Sequence, residues 1–92
     1  MSLRITEKNE TFHLQGKLNS ITSRSFIIHF EYLLSITDEL NLNIDNVHEI
    51  DANGITAIKT IYSKSLLDNK SMSIIGYGCR DIYDEFRNAN IA

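Results

Sequence analysis

The chain has 92 residues, of which 42% are hydrophobic, and this is enough for one compact core but too few for two. Nine Lys and Arg residues against twelve Asp and Glu residues give a formal net charge of −3. No two basic residues are adjacent, so the basic surface of a nucleic-acid-binding protein is not expected. We therefore treat residues 1–92 as a single domain.

The sequence also argues against a disulfide, a metal site, a membrane span and secretion. The one cysteine, Cys79, cannot form an internal disulfide, and Cys-x-x-Cys and Cys/His metal spacings do not occur. No apolar stretch approaches the roughly 20 residues that a membrane-spanning helix needs. The first residues lack the apolar core of a signal peptide. The pattern predicts a cytoplasmic protein without a metal, a cofactor or direct membrane insertion.

Alternation of apolar and polar residues predicts two half-buried strands near the start, joined by a tight connection through residues 8–10. Their apolar positions are Leu3, Ile5, Phe12 and Leu14. Gly16 is expected to end the second strand. A helix should follow, capped by Asn19, Ser20 or Thr22. Its apolar stripe has the spacing of an amphipathic helix and consists of Phe26, Ile27, Phe30, Leu33 and Leu34.

The rest of the chain predicts two further strand–helix units. Leu40, Leu42 and Ile44 alternate with polar residues and indicate a third strand that is buried on one face only. Val47 and Ile50 lead into Asp51 and a second helix. The apolar stripe of that helix is Ile55, Ile58, Ile61, Tyr62 and Leu66. A fourth strand is expected at Met72, Ile74 and Ile75, and a last helix at Ile82, Phe86 and Ala89.

The order ββαβαβα predicts an α/β fold with a mixed four-stranded sheet, in which right-handed crossovers make the later strands parallel. The half-polar third strand indicates that helices lie mainly on one face, giving two layers.

Five segments in this order resemble a known family. Residues 12–19 read FHLQGKLN and are similar to an "L.G.LD" opening. Residues 42–51 read LNIDNVHEID, similar to "LDLSGVTFID", and residues 51–55 read DANGI where the family has "DSSGL". Residues 72–76 and 82–91 fit the next strand and the closing helix. Together they resemble the STAS domain, which is shared by sulfate transporters and anti-sigma factor antagonists.

The resemblance implies a bacterial regulatory module that binds a protein and has no enzyme activity. In anti-sigma factor antagonists the first serine of D-S-S-G is phosphorylated, and the added charge breaks the complex with a switch kinase that is also an anti-sigma factor. Here that position is Ala52, which cannot accept phosphate, and the next is Asn53. Asn19 and Asn43 stand where the family has Asp. The residues that resemble the family's fold are therefore present, but the serine that would be phosphorylated is not.

The expected partner-binding residues are Asn19, Asp51, Ala52, Asn53, Gly54 and Thr56, with neighbouring turns at residues 17–19 and 77–78. Asp51 and Asn53 are also suited to capping the second helix. An alternative partner is the ATPase subunit of an ABC transporter, for which the chain would be an accessory subunit, with nucleotide binding left open. A homodimer is open as well.

Other candidate residues are weaker. Ser20, Thr22, Ser23 and Thr56 are ordinary residues near helix starts that could accept phosphate. Cys79 could have a lowered pKa near a helix start, and Gly76–Gly78 has the spacing of a phosphate loop without the rest of that motif. His13, His29 and His48 are scattered. No residue set supplies a nucleophile with a positioned base, so we expect no catalytic residues.

Overall fold

The structure, a computed structural model, describes residues 3–76. The strands are β1 (Leu3–Lys8), β2 (Thr11–Leu18), β3 (Glu39–Ile50) and β4 (Ser71–Ile75), and the helices are α1 (Ser23–Ile36) and α2 (Ala52–Leu67). The helix expected over residues 82–91 lies outside the described residues, and so do Cys79 and residues 77–78.

The four strands form one sheet in the order β1-β2-β3-β4. β1 is antiparallel to β2, whereas β2, β3 and β4 are parallel to one another. This confirms the mixed four-stranded sheet and the parallel arrangement of its later strands.

The helices cover one face of the sheet. Along the first half of β3 the buried residues Leu40, Leu42 and Ile44 alternate with the half-buried Asn41 and Asn43. The buried side chains of α1 and α2 belong to the same cluster as those of β3 and β4. For the described residues this agrees with the predicted two-layer arrangement.

A two-residue turn joins β1 to β2, since Lys8 pairs with Thr11. Asn9 and Glu10 both have positive φ, 53° and 64°. Such a pair matches the type I′ turn that the twist of a hairpin favours. Asn adopts this conformation readily, but Glu has a Cβ that opposes it.

One strand boundary was predicted wrongly, and another was left open by the sequence. Gly16 lies inside β2 with φ of 112°, beside a shift in the β2–β3 register, and the strand continues to Leu18. β3 likewise continues through Val47 to Ile50, with buried residues at every third position after Ile44. A β-bulge adds a residue and changes the period of burial. The alternation of polar and apolar residues therefore gave no reliable end for either strand.

The α1 stripe is confirmed. Phe26, Phe30 and Leu34 are buried, and Ile27 and Leu33 are partly buried against the core. The Phe30 ring packs edge-on against Phe12 of β2, with ring centroids 5.7 Å apart. This contact joins the helix to the sheet.

The α2 stripe is confirmed only in part. Ile58 and Ile61 are buried, but Leu66 is exposed. The centre of the buried face is displaced toward the small residues Gly54, Ala57 and Ser65. In β4, Ile75 is also exposed, because strict alternation buries Met72 and Ile74 instead.

Neither α1 nor α2, the two helices among the described residues, is long and apolar enough to cross a membrane.

Glu10→Gly should raise the free energy of unfolding by about 0.5–1 kcal/mol, because glycine removes the Cβ from a left-handed turn position. Glu7→Gly is the matched control: it removes the same charge from the same hairpin but lies within β1, where glycine should destabilise by about 0.5–1 kcal/mol. Urea denaturation of both variants measures the two changes. If the two substitutions change the free energy of unfolding in the same direction, the turn does not have this conformation.

Candidate docking surface at the carboxyl edge of the sheet

The ends of β2 and β3 meet at one edge of the sheet. Leu18 and Ile50, the last residues of the two strands, are register partners. The Asp51 N–H donates a hydrogen bond to the Leu18 carbonyl at 3.2 Å. The segments that follow the two strands therefore lie side by side. We call residues 17–19 and 51–56 the carboxyl edge.

Asp51 caps α2. Its Oδ1 accepts a hydrogen bond from the Gly54 N–H at 3.0 Å, and its carbonyl accepts the Ile55 N–H at 3.0 Å. The residue has an extended backbone before the first helical turn, as an N-cap requires. The predicted capping role of Asp51 is confirmed. Asn53, the second candidate cap, is already inside the helix and does not cap it.

Gly54 brings α2 into direct contact with the sheet. A Cβ at this residue would lie 2.3 Å from the Leu18 carbonyl oxygen and 2.7 Å from Ile50 Cγ1. The obstructing oxygen belongs to the backbone and cannot move aside easily. Gly54 is buried, and every other residue type has a Cβ. The start of α2 can therefore reach this position only with glycine.

Ala52, Asn53 and Thr56 form the outer surface of the same helical start. All three are exposed. Among the described residues, neither the Asn53 amide nor the Thr56 hydroxyl takes part in a hydrogen bond. These side chains contribute little to holding the fold and remain accessible to another molecule.

Asn19 organises the turn that precedes α1. Its Oδ1 accepts hydrogen bonds from the N–H groups of Ile21 at 2.9 Å and Thr22 at 3.1 Å. The Asn19 N–H in turn donates to Thr22 Oγ1 at 3.0 Å. Thr22 occupies the N-cap position of α1 without a side-chain cap bond. Of the three predicted capping residues, Thr22 therefore makes no cap bond to α1, whereas Asn19 makes capping bonds one turn earlier.

Thr22 is a poor phosphate acceptor in this structure. The residue is only 8% exposed, and its hydroxyl donates to the Lys17 carbonyl at 3.0 Å. Ser20 and Thr56 are exposed and Ser23 is half-buried. Whether any of these is modified stays a sequence-based prediction.

Asn43 does not join the carboxyl edge. It lies in the first half of β3, where its Oδ1 accepts the Asp45 N–H at 2.9 Å. The register pairs Asn43 with Ile75, the last residue of β4, so β3 extends seven residues beyond the end of β4. Gly76, with φ of 91°, lies against Asp45.

The charges near the edge are exposed and mixed. Lys17 and Glu49 form an ion pair of 3.7 Å across β2 and β3, with more than half of each side chain in solvent. Such a pair adds little stability. His29 packs against Phe12 at the margin of the core, 6.4 Å between ring centroids. Within residues 3–76 no group of three His, Cys, Asp or Glu side chains could hold a metal ion.

Comparison with known proteins does not identify a family. No protein-family model matches the chain. No curated protein is similar enough to count as a relative.

Gly54→Ala should lower the free energy of unfolding by at least about 2 kcal/mol, because the new methyl group collides with the Leu18 carbonyl. In an ordinary helix the same change would stabilise by about 1 kcal/mol. Asn53→Ala, one residue away and exposed, is the control and should stay within about 0.5 kcal/mol of wild type. Chemical denaturation decides the sign; a stabilised Gly54→Ala protein would contradict the close approach.

Asn19→Asp should keep the turn, since a carboxylate accepts the same two N–H bonds, whereas Asn19→Ala should cost about 1–2 kcal/mol. Thermal unfolding of both variants tests the role of the side-chain oxygen. Equal losses in the two variants would show that the amide NH2 of Asn19, and not its oxygen, is needed.

Proposed function

We propose that the chain is a non-catalytic regulatory module of the STAS type that binds a partner protein through its carboxyl edge. The observation that carries the proposal is the position of the motif residues. Asn19 and residues 51–56 come from distant parts of the sequence, and the Asp51–Leu18 hydrogen bond holds their segments together. A continuous surface built from two segments is suited to recognising a protein.

The residues of the D-x-x-G segment divide into two groups. Asp51 and Gly54 hold the start of α2, one by capping and one by close packing. Ala52 and Asn53 lie between them and are exposed. The two residues that match the STAS pattern are thus the ones the architecture needs. Ala52 and Asn53, which differ from the pattern, are the residues that a partner would touch. The difference therefore affects how the surface binds a partner and not how the domain folds.

The module is proposed to bind without phosphate control at residue 52. Alanine has no hydroxyl, and the Thr22 hydroxyl at the start of α1 is engaged with the Lys17 carbonyl. Binding would then be constitutive, and the amount of this protein would determine how much partner is occupied. The proposed partner is a switch kinase resembling an anti-sigma factor, encountered in the cytoplasm.

Ala52→Glu should weaken partner binding at least about tenfold, or roughly 1.4 kcal/mol. The side chain at residue 52 is exposed, and an acidic residue suits the first turn of a helix, so the variant should stay folded. Ala52→Ser should stay folded as well. The measurement is a titration of each variant against the protein that immobilised wild type retains from the native cell and that mass spectrometry identifies.

Thr60→Glu is the matched control, because residue 60 is exposed on α2, about one turn beyond the edge and two turns from residue 52. It should bind as wild type does. A partner that binds Ala52→Glu as tightly as wild type would place the interface elsewhere. Retention of a transporter ATPase subunit, in place of a kinase, would favour the accessory-subunit alternative.

A further inference from the structure

α1 carries a second apolar stripe on the side that faces away from the sheet. Ile28, Tyr32 and Ile36 are 58%, 62% and 62% exposed. Residues four apart form one ridge along a helix. Ile21, 79% exposed, lies in the turn just before α1, seven residues before Ile28. We call these four residues the outer stripe.

The neighbouring helix shows that an apolar outer surface is not required by the fold. α2 lies in the same layer, and the outward residues along its middle turns are polar, namely Thr56, Thr60 and Ser63, while its exposed Leu66 and Leu67 lie only at the last turn. A solvated helix face is ordinarily polar. Adjacent exposed apolar residues of this size mark interaction surfaces more often than chance exposure does. The outer stripe of α1 is therefore the apolar surface of this helix layer that is best suited to an interaction.

Two opposite charges flank the outer stripe on one side. Arg24 and Glu31 are seven residues apart, which is about 10 Å along a helix and nearly two full turns. Neither side chain has an ion-pair partner among the described residues. Glu31 also borders the groove between the helices near Lys64, without pairing with it.

The spacing of these residues is symmetric about Ile28 to within one residue, which is about 1.5 Å along a helix. Ile21 lies seven residues before it and Ile36 eight residues after it, while Arg24 lies four before and Glu31 three after. When two copies of α1 cross antiparallel at Ile28, Ile21 of each copy faces Ile36 of the other. Arg24 then faces Glu31 in two equivalent pairs. A surface that complements itself in this way is what a two-fold interface needs.

We propose that the outer stripe is the interface with a second copy of this chain. The four side chains expose on the order of 500 Å² per copy, below the ~800 Å² per partner of a standard interface. The dimer should therefore be weak, with a dissociation constant in the micromolar range. The carboxyl edge is not part of the stripe, so a dimer would present two such edges to a partner. The proposal does not depend on the partner-binding function.

Sedimentation velocity of the purified chain tests the proposal directly. The average mass should rise from one chain toward two between about 5 and 500 µM. Ile28→Glu places two like charges at the two-fold axis and should keep the protein monomeric throughout. Thr60→Glu, on the outer face of α2, is the control and should associate as wild type does. Circular dichroism confirms that both variants are folded.

Exchanging the charges of Arg24 and Glu31 distinguishes this antiparallel dimer from other complexes formed through the outer stripe. Arg24→Glu and Glu31→Arg should each weaken association about tenfold, since each places like charges opposite one another twice. The double variant restores opposite charges and should associate as wild type does. Three results would each overturn the proposal. The wild-type chain could stay monomeric at every concentration, or the Ile28→Glu variant could still associate. The double variant could also associate more weakly than both single variants.

Discussion

The contact between Gly54 and the Leu18 carbonyl determines how α2 meets the sheet. Without a Cβ at residue 54, the first turn of the helix can lie directly on the end of β2. The Asp51 N–H then reaches the same carbonyl, and the Asp51 carboxylate caps the turn. Because one backbone oxygen is shared in this way, a small displacement of α2 would disturb the cap and both strand ends together. The carboxyl edge depends on this contact for its shape.

A similar division of roles applies at the start of α1. Asn19 accepts two backbone N–H bonds through its side-chain oxygen, and an Asp at this position could accept the same bonds. The neutral amide therefore makes these bonds without placing a negative charge on the surface. Ala52 likewise offers neither a charge nor a hydroxyl that could accept phosphate. These two residues agree with the proposed docking surface that is not controlled by phosphate at residue 52.

Much of the fold could be predicted from the sequence, because the periods of burial are local properties. Phe26, Phe30 and Leu34 repeat every four residues, and Leu40, Leu42 and Ile44 every second one, and each set is buried as expected. The bulge beside Gly16 could not be predicted, since it depends on the register between β2 and β3. The exposed position of Leu66 was also missed, because small residues decide which side of α2 packs against the sheet.

At the candidate site, too, local features could be predicted from the sequence but contacts between distant residues could not. The Asp51 cap is a local signal and was predicted. The close approach of Gly54 was not, because the obstructing carbonyl lies 36 residues earlier in the sequence. The Thr22 hydroxyl was considered as a phosphate acceptor, although its bond to Lys17 depends on how the chain turns after β2. A helix-start glycine that follows an Asp cap by three residues is the one sequence signal that could have indicated close packing.

We propose that a partner protein binds the carboxyl edge. Backbone amide NMR spectra of the isotope-labelled chain, recorded with and without the retained partner, test it most directly. We expect the perturbed resonances to cluster at Asn19, Ser20 and residues 51–56. Perturbations centred on the opposite side of the sheet, at His13, Asn41 and Ser73, with the carboxyl edge unchanged, would contradict it.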